Sequence, residues 1–155
     1  MSERTLYEAD FYAWTQEQAT LLRDQKWSQI DIQNLIEEVE SLGRQQRQEL
    51  HNRLSVLLGH LLKWEYQPQR RSRSWLATLR VQRRDTLRLL KENPSLKPSL
   101  DDALLEAYEN ARDLAMGETD LPEQTFPIDC PYTLAEIFDD RFYPGAASEL
   151  TDLQR

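Results

Sequence analysis

The sequence predicts an all-α fold, an antiparallel helical bundle of about four main helices forming a single domain over residues 1–155. Apolar residues recur at the helical period over the first three quarters of the chain, and no stretch of strand length shows sustained alternation. Only four of the 155 residues are glycine, too few for a sheet protein with many tight turns. Short connectors separate the helical stretches, which is typical of antiparallel neighbours.

The first predicted helix runs from about Asp10 to Asp24. Asp10 is its candidate N-cap, because a carboxylate there can accept from the open N–H groups of the first turn. The break near Trp27 leads to Asp31, the next candidate cap. The predicted apolar face of this helix consists of Phe11, Trp14, Leu21 and Leu22.

The second predicted helix is long and runs from about Ile32 to Tyr66. At 100° per residue, the 29 steps from Ile32 to Leu61 end only about 20° past whole turns, so one apolar stripe serves both halves. A kink at Gly43 is the rival interpretation, since a glycine inside a helix costs about 1 kcal/mol relative to alanine. The stripe consists of Ile32, Leu35, Ile36, Val39, Leu50, Leu54, Leu57, Leu58 and Leu61.

Two further helices follow. The third is predicted from Trp75 to about Glu92, after a proline-containing connector that ends the second. Ser99 and Asp102 have the spacing of a capping box and open a fourth helix that ends near Met116. The apolar face of the third helix is Trp75, Leu79, Thr86, Leu89 and Leu90, and that of the fourth is Leu100, Leu104, Ala107, Ala111, Leu114 and Ala115.

Beyond Gly117 the pattern becomes irregular, and the prolines there predict a strap laid across the bundle. Thr133 and Glu136 have capping-box spacing and predict a short helix that continues through Phe138. The predicted organisation is therefore a bundle over about 6–117, a strap with a short helix over about 118–144, and a tail over 145–155.

The composition excludes several classes of protein. The single cysteine, Cys130, cannot form an internal disulfide, so a disulfide-stapled secreted scaffold is excluded. The longest apolar run, from Val56 to Leu62, is seven residues and too short to span a membrane. The first residues lack the basic-then-apolar pattern of a signal peptide, so we expect a cytoplasmic protein.

Charge is unevenly distributed along the chain. The net charge of −8 divides into −4 over residues 1–62, +7 over residues 63–91 and −11 over residues 92–155. Arginines repeat every fourth residue on the third helix, opposite its apolar face, and acidic residues form a matching stripe on the fourth. These two stripes are Arg80, Arg84 and Arg88, and Asp102, Glu106, Glu109 and Asp113.

Two interpretations of the stripes remain open. They are the solvated faces of ordinary amphipathic helices, or they bind a partner protein or a second copy of the chain. The basic middle of the chain also allows contact with nucleic acid, since three arginines lie near aromatic residues that could stack on bases. The acidic charge of the rest of the molecule disfavours that interpretation. The arginines concerned are Arg70, Arg71 and Arg73.

The sequence predicts no metal site and no cofactor. His51 and His60 are nine residues apart, which places them half a turn out of register on one helix. Glu40 lies 20 residues before His60, or about 30 Å along that helix. No Glu-x-x-His pair, P-loop or Gly-x-Ser-x-Gly elbow is present in the chain.

His60 and Arg53 are the only candidates for catalysis. Their spacing matches the loose Arg-x(4–6)-His pattern of HEPN-type ribonucleases, which are also small helical bundles. This predicts, as the alternative function, a metal-independent RNA-acting or toxin-type protein. A histidine at the border of the leucine stripe and bonded to a neighbouring element is the structural interpretation.

Several segments resemble a known family. They are Tyr7-Glu8 with Asp10-Phe11, Leu35 to Glu40, His60 to Pro68, Arg73-Ser74-Trp75, Pro94-Ser95-Leu96, Phe126-Pro127 and Cys130-Pro131-Tyr132. In order and spacing they are similar to the Domain of Unknown Function 29 family, found largely in cyanobacteria, over about Leu6 to Pro144. The resemblance implies an all-helical fold and a cytoplasmic bacterial setting, and it brings no established activity, cofactor or catalytic residue. From the residues we expect a non-enzymatic interaction or regulatory module that uses the charged helix faces.

Overall fold

The fold is all-α, as predicted. A computed structural model describes residues 3–152, and over that range the chain is a helical bundle of seven helices without a strand. The helices are α1 (Leu6–Ala9), α2 (Phe11–Arg23), α3 (Ile32–Tyr66), α4 (Arg73–Glu92), α5 (Leu100–Thr119), α6 (Leu134–Phe138) and α7 (Glu149–Asp152). The chain divides into two compact units, one ending at Gln45 and the other beginning at Gln46, and the single-domain prediction stays a prediction. The last part of the predicted tail, 153–155, lies outside the described residues.

The first unit contains α1, α2 and the beginning of α3. Asp10 caps α2 as predicted, and its Oδ1 accepts from the backbone N–H of Ala13 at 3.0 Å. The short α1 before it was not predicted, and Thr5 caps it by accepting from the backbone N–H of Glu8. Helix α3 then runs through Gly43 to Tyr66, which confirms the continuous helix.

Polar contacts join α2 to the beginning of α3. Nε1 of Trp14 donates to Oδ2 of Asp31 at 3.0 Å, and the Asp31 backbone N–H donates to Oε1 of Gln18 at 2.8 Å. The Tyr7 hydroxyl donates to Glu38. Tyr7 contacts Glu38, whereas Trp14, which comes after Tyr7, contacts Asp31, which comes before Glu38. The segment that contains α1 and α2 therefore runs antiparallel to the beginning of α3. We call α2 with residues 32–45 the N-terminal hairpin.

The predicted apolar stripe of α3 is buried only in its second half. Ile32, Ile36 and Val39 are 59%, 53% and 65% exposed, whereas Leu54 and Leu61 are fully buried. The first half of the stripe is therefore not part of the buried core. The polar contacts from Tyr7 of α1 and Trp14 of α2 are made to Glu38 and Asp31, and they leave Ile32, Ile36 and Val39 exposed, whereas Leu35 of the stripe is half-buried.

In the second unit, residues 46–66 of α3 run antiparallel to α4. Arg53 contacts Asp85 with Nη1 to Oδ2 at 3.3 Å, while ten residues further along α3 the Lys63 ammonium lies 4.7 Å from the centre of the Trp75 ring. Residues later on α3 therefore contact residues earlier on α4, as expected for antiparallel helices.

The same stretch of α3 runs parallel to α5. His51 lies beside Glu106, with Nε2 to Oε2 at 3.9 Å, and Lys63 pairs with Glu118. The two contacts are twelve residues apart on α3 and twelve residues apart on α5, in the same order along the chain. The second unit is a three-helix, up-down-up arrangement.

The core of this unit lies between the three helices and the C-terminal strap. The strap contributes Phe126, Tyr132 and Ile137, which are at most 5% exposed. This confirms the predicted strap across the bundle. The most buried helical residues of the core are Leu54, Leu57, Leu58, Leu61, Leu62, Trp64, Leu79, Ala107, Ala111 and Ala115.

Three of the predicted helix ends differ from the structure. Helix α4 begins at Arg73 rather than at Trp75, with Ser72 as its N-cap, and both ends of α5 differ. Ser99 does not cap α5 with its side chain, because the preceding turn at Pro94–Ser99 leads into the helix and gives Ser99 a nearly helical backbone (φ −88°, ψ 0°). Helix α5 also continues past Gly117 to Thr119, and it ends at Asp120, whose φ of +58° is left-handed. The capping box of Thr133 and Glu136 is confirmed.

Candidate functional site: an arginine-lined groove beside helix α4

A groove of about 700 Å³ lies between α4 and the end of α6. We call it the arginine groove. All of its lining belongs to the second unit, and it combines cationic, apolar and acidic side chains. It is lined by Arg80, Arg83, Arg84, Leu87, Phe138, Asp139 and Asp140.

Helix α4 positions two of these arginines on its outer side. Arg80 and Arg84 are four residues apart, so they lie one turn apart on the same face, and both are exposed. Arg84 has no ion pair among residues 3–152. The groove therefore presents at least one solvated guanidinium that is not neutralised by a carboxylate within the described chain.

Arg83 has a different role, because it is only 3% exposed. Its Nε donates to the carbonyl oxygen of Ile137 at 2.8 Å and its Nη2 donates to that of Phe142 at 2.7 Å. Its guanidinium also lies 5.3 Å from the centre of the Tyr143 ring. Burial lowers the pKa of Arg83 from its ordinary value, and Tyr143 with Asp139 and Asp140 act in the opposite direction. Arg83 therefore fastens the strap to α4 and lines the groove between them.

The wall opposite α4 carries Asp139 and Asp140, directly after the end of α6. Oδ1 of Asp139 accepts from the backbone N–H of Arg141 at 2.9 Å, which orders this short turn. Leu87, 46% exposed, contributes apolar surface on the helix side. With three arginines against two aspartates, the lining carries a formal net charge of +1.

A second groove of about 340 Å³ shares Arg80 with the first. It is lined by Arg73, Leu76, Ala77, Arg80 and Leu150. Together the two grooves follow α4 from Arg73 to Leu87, about four turns. A ligand longer than one side chain could therefore contact both.

The third arginine of the predicted stripe, Arg88, lies outside the arginine groove. It contacts Asp85 on its own helix at 3.6 Å, and its side chain is 60% exposed. Arg53 of α3 contacts the same aspartate, and its Nε donates to Glu49 at 2.9 Å. The structure thus brings Arg88 together with Arg53, which the sequence did not suggest.

The predicted cluster of three arginines near the connector is divided among different roles. Arg70 and Arg73 are exposed. Arg71 donates to the carbonyl oxygens of Trp64, Pro144 and Ala146, at 2.7, 3.2 and 2.6 Å. Its guanidinium lies 4.8 Å from the centre of the fully buried Trp64 ring. Trp64 is therefore not available to stack on a base.

His60 and Arg53 have separate environments. Nδ1 of His60 donates to the carbonyl oxygen of Val56 at 2.9 Å, since a carbonyl can only accept. Burial lowers the pKa of His60 below its ordinary 6.5, and the Lys63 ammonium acts in the same direction. His60 lies seven positions after Arg53 on one helix, a rise of about 10 Å, and Arg53 contacts Glu49 and Asp85 instead.

The acidic stripe lies on the exposed side of α5. Its four members, Asp102, Glu106, Glu109 and Asp113, are all exposed, and only Glu106 has an ion-pair contact among the described residues, the one with His51. Within residues 3–152 no three His, Cys, Asp or Glu side chains lie close enough together to hold a metal ion. In the same range no helix is long and apolar enough to cross a membrane.

Two functional side chains were not singled out from the sequence. Arg83 falls in phase with the apolar residues of α4, between Leu79 and Thr86, and an arginine in that phase is the signal of a buried anchor. Lys63 is 6% exposed, pairs with Glu118 and covers the Trp75 ring. It likewise lies within the buried stripe of α3, next to Leu62.

Comparisons with known proteins place the chain in a family. Neither a curated protein nor a solved structure matches it. A family model described as "Domain of unknown function DUF29" matches residues 6–143, well over half of the chain. The fold and this match agree with the resemblance carried by the sequence segments, and the chain belongs to the DUF29 family.

Proposed function

We propose that the protein is a non-enzymatic interaction module whose arginine groove binds an acidic, partly apolar segment of a partner protein. The observation that carries this proposal is the groove itself, which is lined by exposed Arg84 of α4, by Asp139 and Asp140 after α6, and by apolar Leu87 and Phe138. Charged groups around a groove fix the register of a partner and raise the rate of association.

The mixed lining favours a protein segment over nucleic acid. A phosphate backbone carries one charge per nucleotide, so it is bound by surfaces that are positive throughout. Here one wall carries two aspartates, and the remainder of the chain is strongly acidic. A peptide can instead place a glutamate against Arg84 and its own N–H groups or a basic residue against Asp139.

Apolar surface supplies the second requirement of a peptide site. Leu87 of α4 and Phe138 of α6 both line the groove, so a leucine or an aromatic residue of the partner would bury area there. The buried Arg83 keeps the strap at a fixed distance from α4, so the groove is formed before binding. A preformed groove reduces the ordering entropy that binding would otherwise cost.

The affinity of an acidic peptide tests the proposal. We would titrate labelled peptides that combine two glutamates with a leucine or phenylalanine into wild type, Arg84→Glu and Arg88→Glu, and measure fluorescence anisotropy. Arg88→Glu is the matched control, with the same change of charge one turn further on the same helix and outside the groove. We expect Arg84→Glu to weaken binding about tenfold or more and Arg88→Glu to change it about threefold or less. Equal losses, or no binding by wild type, would contradict the proposal.

Native partners are then found by capture from a cell lysate with and without nuclease. A groove ligand is retained by wild type and by Arg88→Glu, is lost with Arg84→Glu, and is unaffected by nuclease. Loss of the captured ligand after nuclease treatment would instead identify nucleic acid.

The RNA-acting alternative centred on His60 and Arg53 stays a prediction. Two observations weigh against it: Arg53 contacts carboxylates, and the grooves described above are lined by residues other than His60. An RNA-cleavage assay of wild type against His60→Ala tests it, and we expect no difference. A cytoplasmic location and a cyanobacterial distribution also stay predictions from the sequence.

A further inference from the structure

We propose that the protein self-associates through the N-terminal hairpin, by antiparallel pairing of the first part of α3 with the same segment of a second copy. The surface concerned consists of Ile32, Ile36, Val39 and Leu42, which we call the hairpin stripe. It is separate from the arginine groove, so this inference does not rest on the proposed function.

The hairpin stripe is an unusually exposed apolar surface. Its members are 59%, 53%, 65% and 60% exposed, in chain order. Their spacing of four, three and three residues places them on one side of the helix, within an arc of about 120°. Contiguous apolar patches of this kind mark sites of association, whereas single exposed apolar residues do not.

In the first unit the rings of Tyr7, Phe11 and Trp14 contact one another, and this small aromatic cluster leaves the hairpin stripe exposed. Among the described residues of the first unit only Trp14 and Gln18 are buried, at 3% and 5% exposure. The side of this segment that faces α1 and α2 carries Asp31, Asn34 and Glu38, which make or lie beside the polar contacts, and Leu35 beside them is half-buried. An amphipathic helix normally buries its apolar side, so the observed orientation is favourable only if another surface covers the stripe.

Gly43 supports a close approach by a second helix at this place. It lies within the arc of the hairpin stripe, and a Cβ added there would meet nothing within 4 Å. A glycine inside a helix costs about 1 kcal/mol relative to alanine, and no neighbour among the described residues requires it. Helices that cross at small residues approach more closely, and Val39 of one copy opposite Gly43 of the other fills that space.

The charges beside the stripe select a second copy in antiparallel orientation. Glu37 and Glu40 come first along the helix and Arg44 follows, all on the same flank. In an antiparallel pair the same flanks meet, so each acidic segment faces the arginine of the other copy. A two-fold axis repeats this contact, whereas in a parallel pair opposite flanks meet and the pairing of Glu37 and Glu40 with Arg44 is lost.

These charged side chains can exchange partners. Within one chain Arg44 lies 3.2 Å from Glu37 and 3.9 Å from Glu40, and the side chains of all three are about 60% exposed. Exposed ion pairs of this kind contribute little to stability, so replacing them with contacts to another copy carries little penalty. A lipid surface is a poorer occupant, because interfacial helices carry lysine and arginine beside their apolar side rather than glutamates.

Sedimentation equilibrium of wild type against Val39→Glu tests the proposal. Leu105→Glu is the matched control, since Leu105 is 67% exposed on α5, against 65% for Val39. We expect wild type to dimerise, Val39→Glu to raise the dimer dissociation constant at least about 100-fold, and Leu105→Glu to leave it unchanged. Because Val39 is exposed, circular dichroism should show the same helix content in all three proteins.

A charge exchange provides a second test that does not depend on apolar residues. Arg44→Glu makes the flank wholly acidic and Glu37→Arg with Glu40→Arg makes it wholly basic. We expect each variant alone to dimerise more weakly than wild type and an equimolar mixture to form heterodimers.

Three outcomes would overturn the inference. The first is a wild type that remains monomeric at concentrations on the order of 100 μM. The second is a dimer that Val39→Glu leaves intact. The third is a wild-type monomer that binds anionic phosphatidylserine vesicles and loses this binding with Val39→Glu, which would make lipid the occupant of the stripe.

Discussion

Arg83 donates from Nε to the carbonyl oxygen of Ile137 at 2.8 Å, and this contact ties α4 to the last turn of α6. It joins two residues 54 positions apart in the chain, one on the basic helix and one on the strap. The same guanidinium also donates to the carbonyl oxygen of Phe142. Arg83 therefore holds both ends of the segment that carries Asp139 and Asp140, the acidic wall of the arginine groove. The proposed binding site therefore depends on a residue that is itself almost inaccessible.

Replacing Arg83 should destabilise the protein and release the strap. Arg83→Met leaves the carbonyl oxygens of Ile137 and Phe142 without their donors, and we expect a loss of about 3 kcal/mol in the free energy of unfolding. Arg84→Met on the same helix should change it by about 0.5 kcal/mol or less, since Arg84 is exposed. Urea denaturation measures both, and equal losses would show that Arg83 is not an anchor.

The pair of Lys63 and Glu118 should respond asymmetrically to mutation. Lys63 is buried, whereas the Glu118 side chain is 52% exposed. Lys63→Met removes the buried charge and leaves a solvated carboxylate, so we expect a change of about 1 kcal/mol or less. Glu118→Gln leaves a buried ammonium without its counter-ion and should cost about 2 kcal/mol. Thermal denaturation of the two variants compares them, and a larger loss with Lys63→Met would contradict this account.

Gly145 should resist substitution because of its backbone. Its φ of +84° is left-handed, and a Cβ there would lie 3.1 Å from Nη2 of Arg71. We expect Gly145→Ala to destabilise the protein by about 1–2 kcal/mol. Gly43→Ala is the control, since a Cβ there meets nothing within 4 Å and should raise the stability of the dilute protein by about 0.5–1 kcal/mol. A neutral Gly145→Ala would show that Arg71 and the strap adjust freely.

Stability should fall in mild acid because of His60. Burial lowers its pKa in the folded protein below 6.5, so the unfolded chain binds the proton first as the pH falls. Above pH 6.5 the protonation of His60 does not affect stability. As the pH falls from 6.5 through the lower pKa of His60 in the folded protein, it lowers the free energy of unfolding. We expect the Tm of wild type to fall more between about pH 7.5 and about pH 5.5 than that of His60→Gln. Parallel curves for the two proteins would contradict the assigned shift.

Local signals in the sequence predicted much of the fold. Asp10 caps α2, and Thr133 with Glu136 forms a capping box, because each involves residues only three apart. Ser99 has the same spacing with Asp102, yet it does not cap α5. The difference is the turn at Pro94–Ser99, which fixes the Ser99 backbone before the helix begins, and spacing alone does not report that.

The direction in which a helix faces was harder to predict. Ile36 and Leu54 lie on the same stripe of α3, but Ile36 is 53% exposed and Leu54 is buried. The hydrophobic period determines which residues share a side, whereas the neighbours that cover the side depend on the rest of the fold. For the same reason the sequence grouped Arg84 with Arg88, although only Arg84 lines the arginine groove.

Backbone amide shifts in ¹H–¹⁵N NMR test the central proposal, the arginine groove, most directly. An acidic peptide of the kind described above would be titrated into the labelled protein. We predict shifts confined to residues 80–87 and 138–140 and absent from 102–113 of α5, and the shifts should disappear in Arg84→Glu. Shifts on α5 alone, or none at peptide concentrations on the order of 1 mM, would contradict the account.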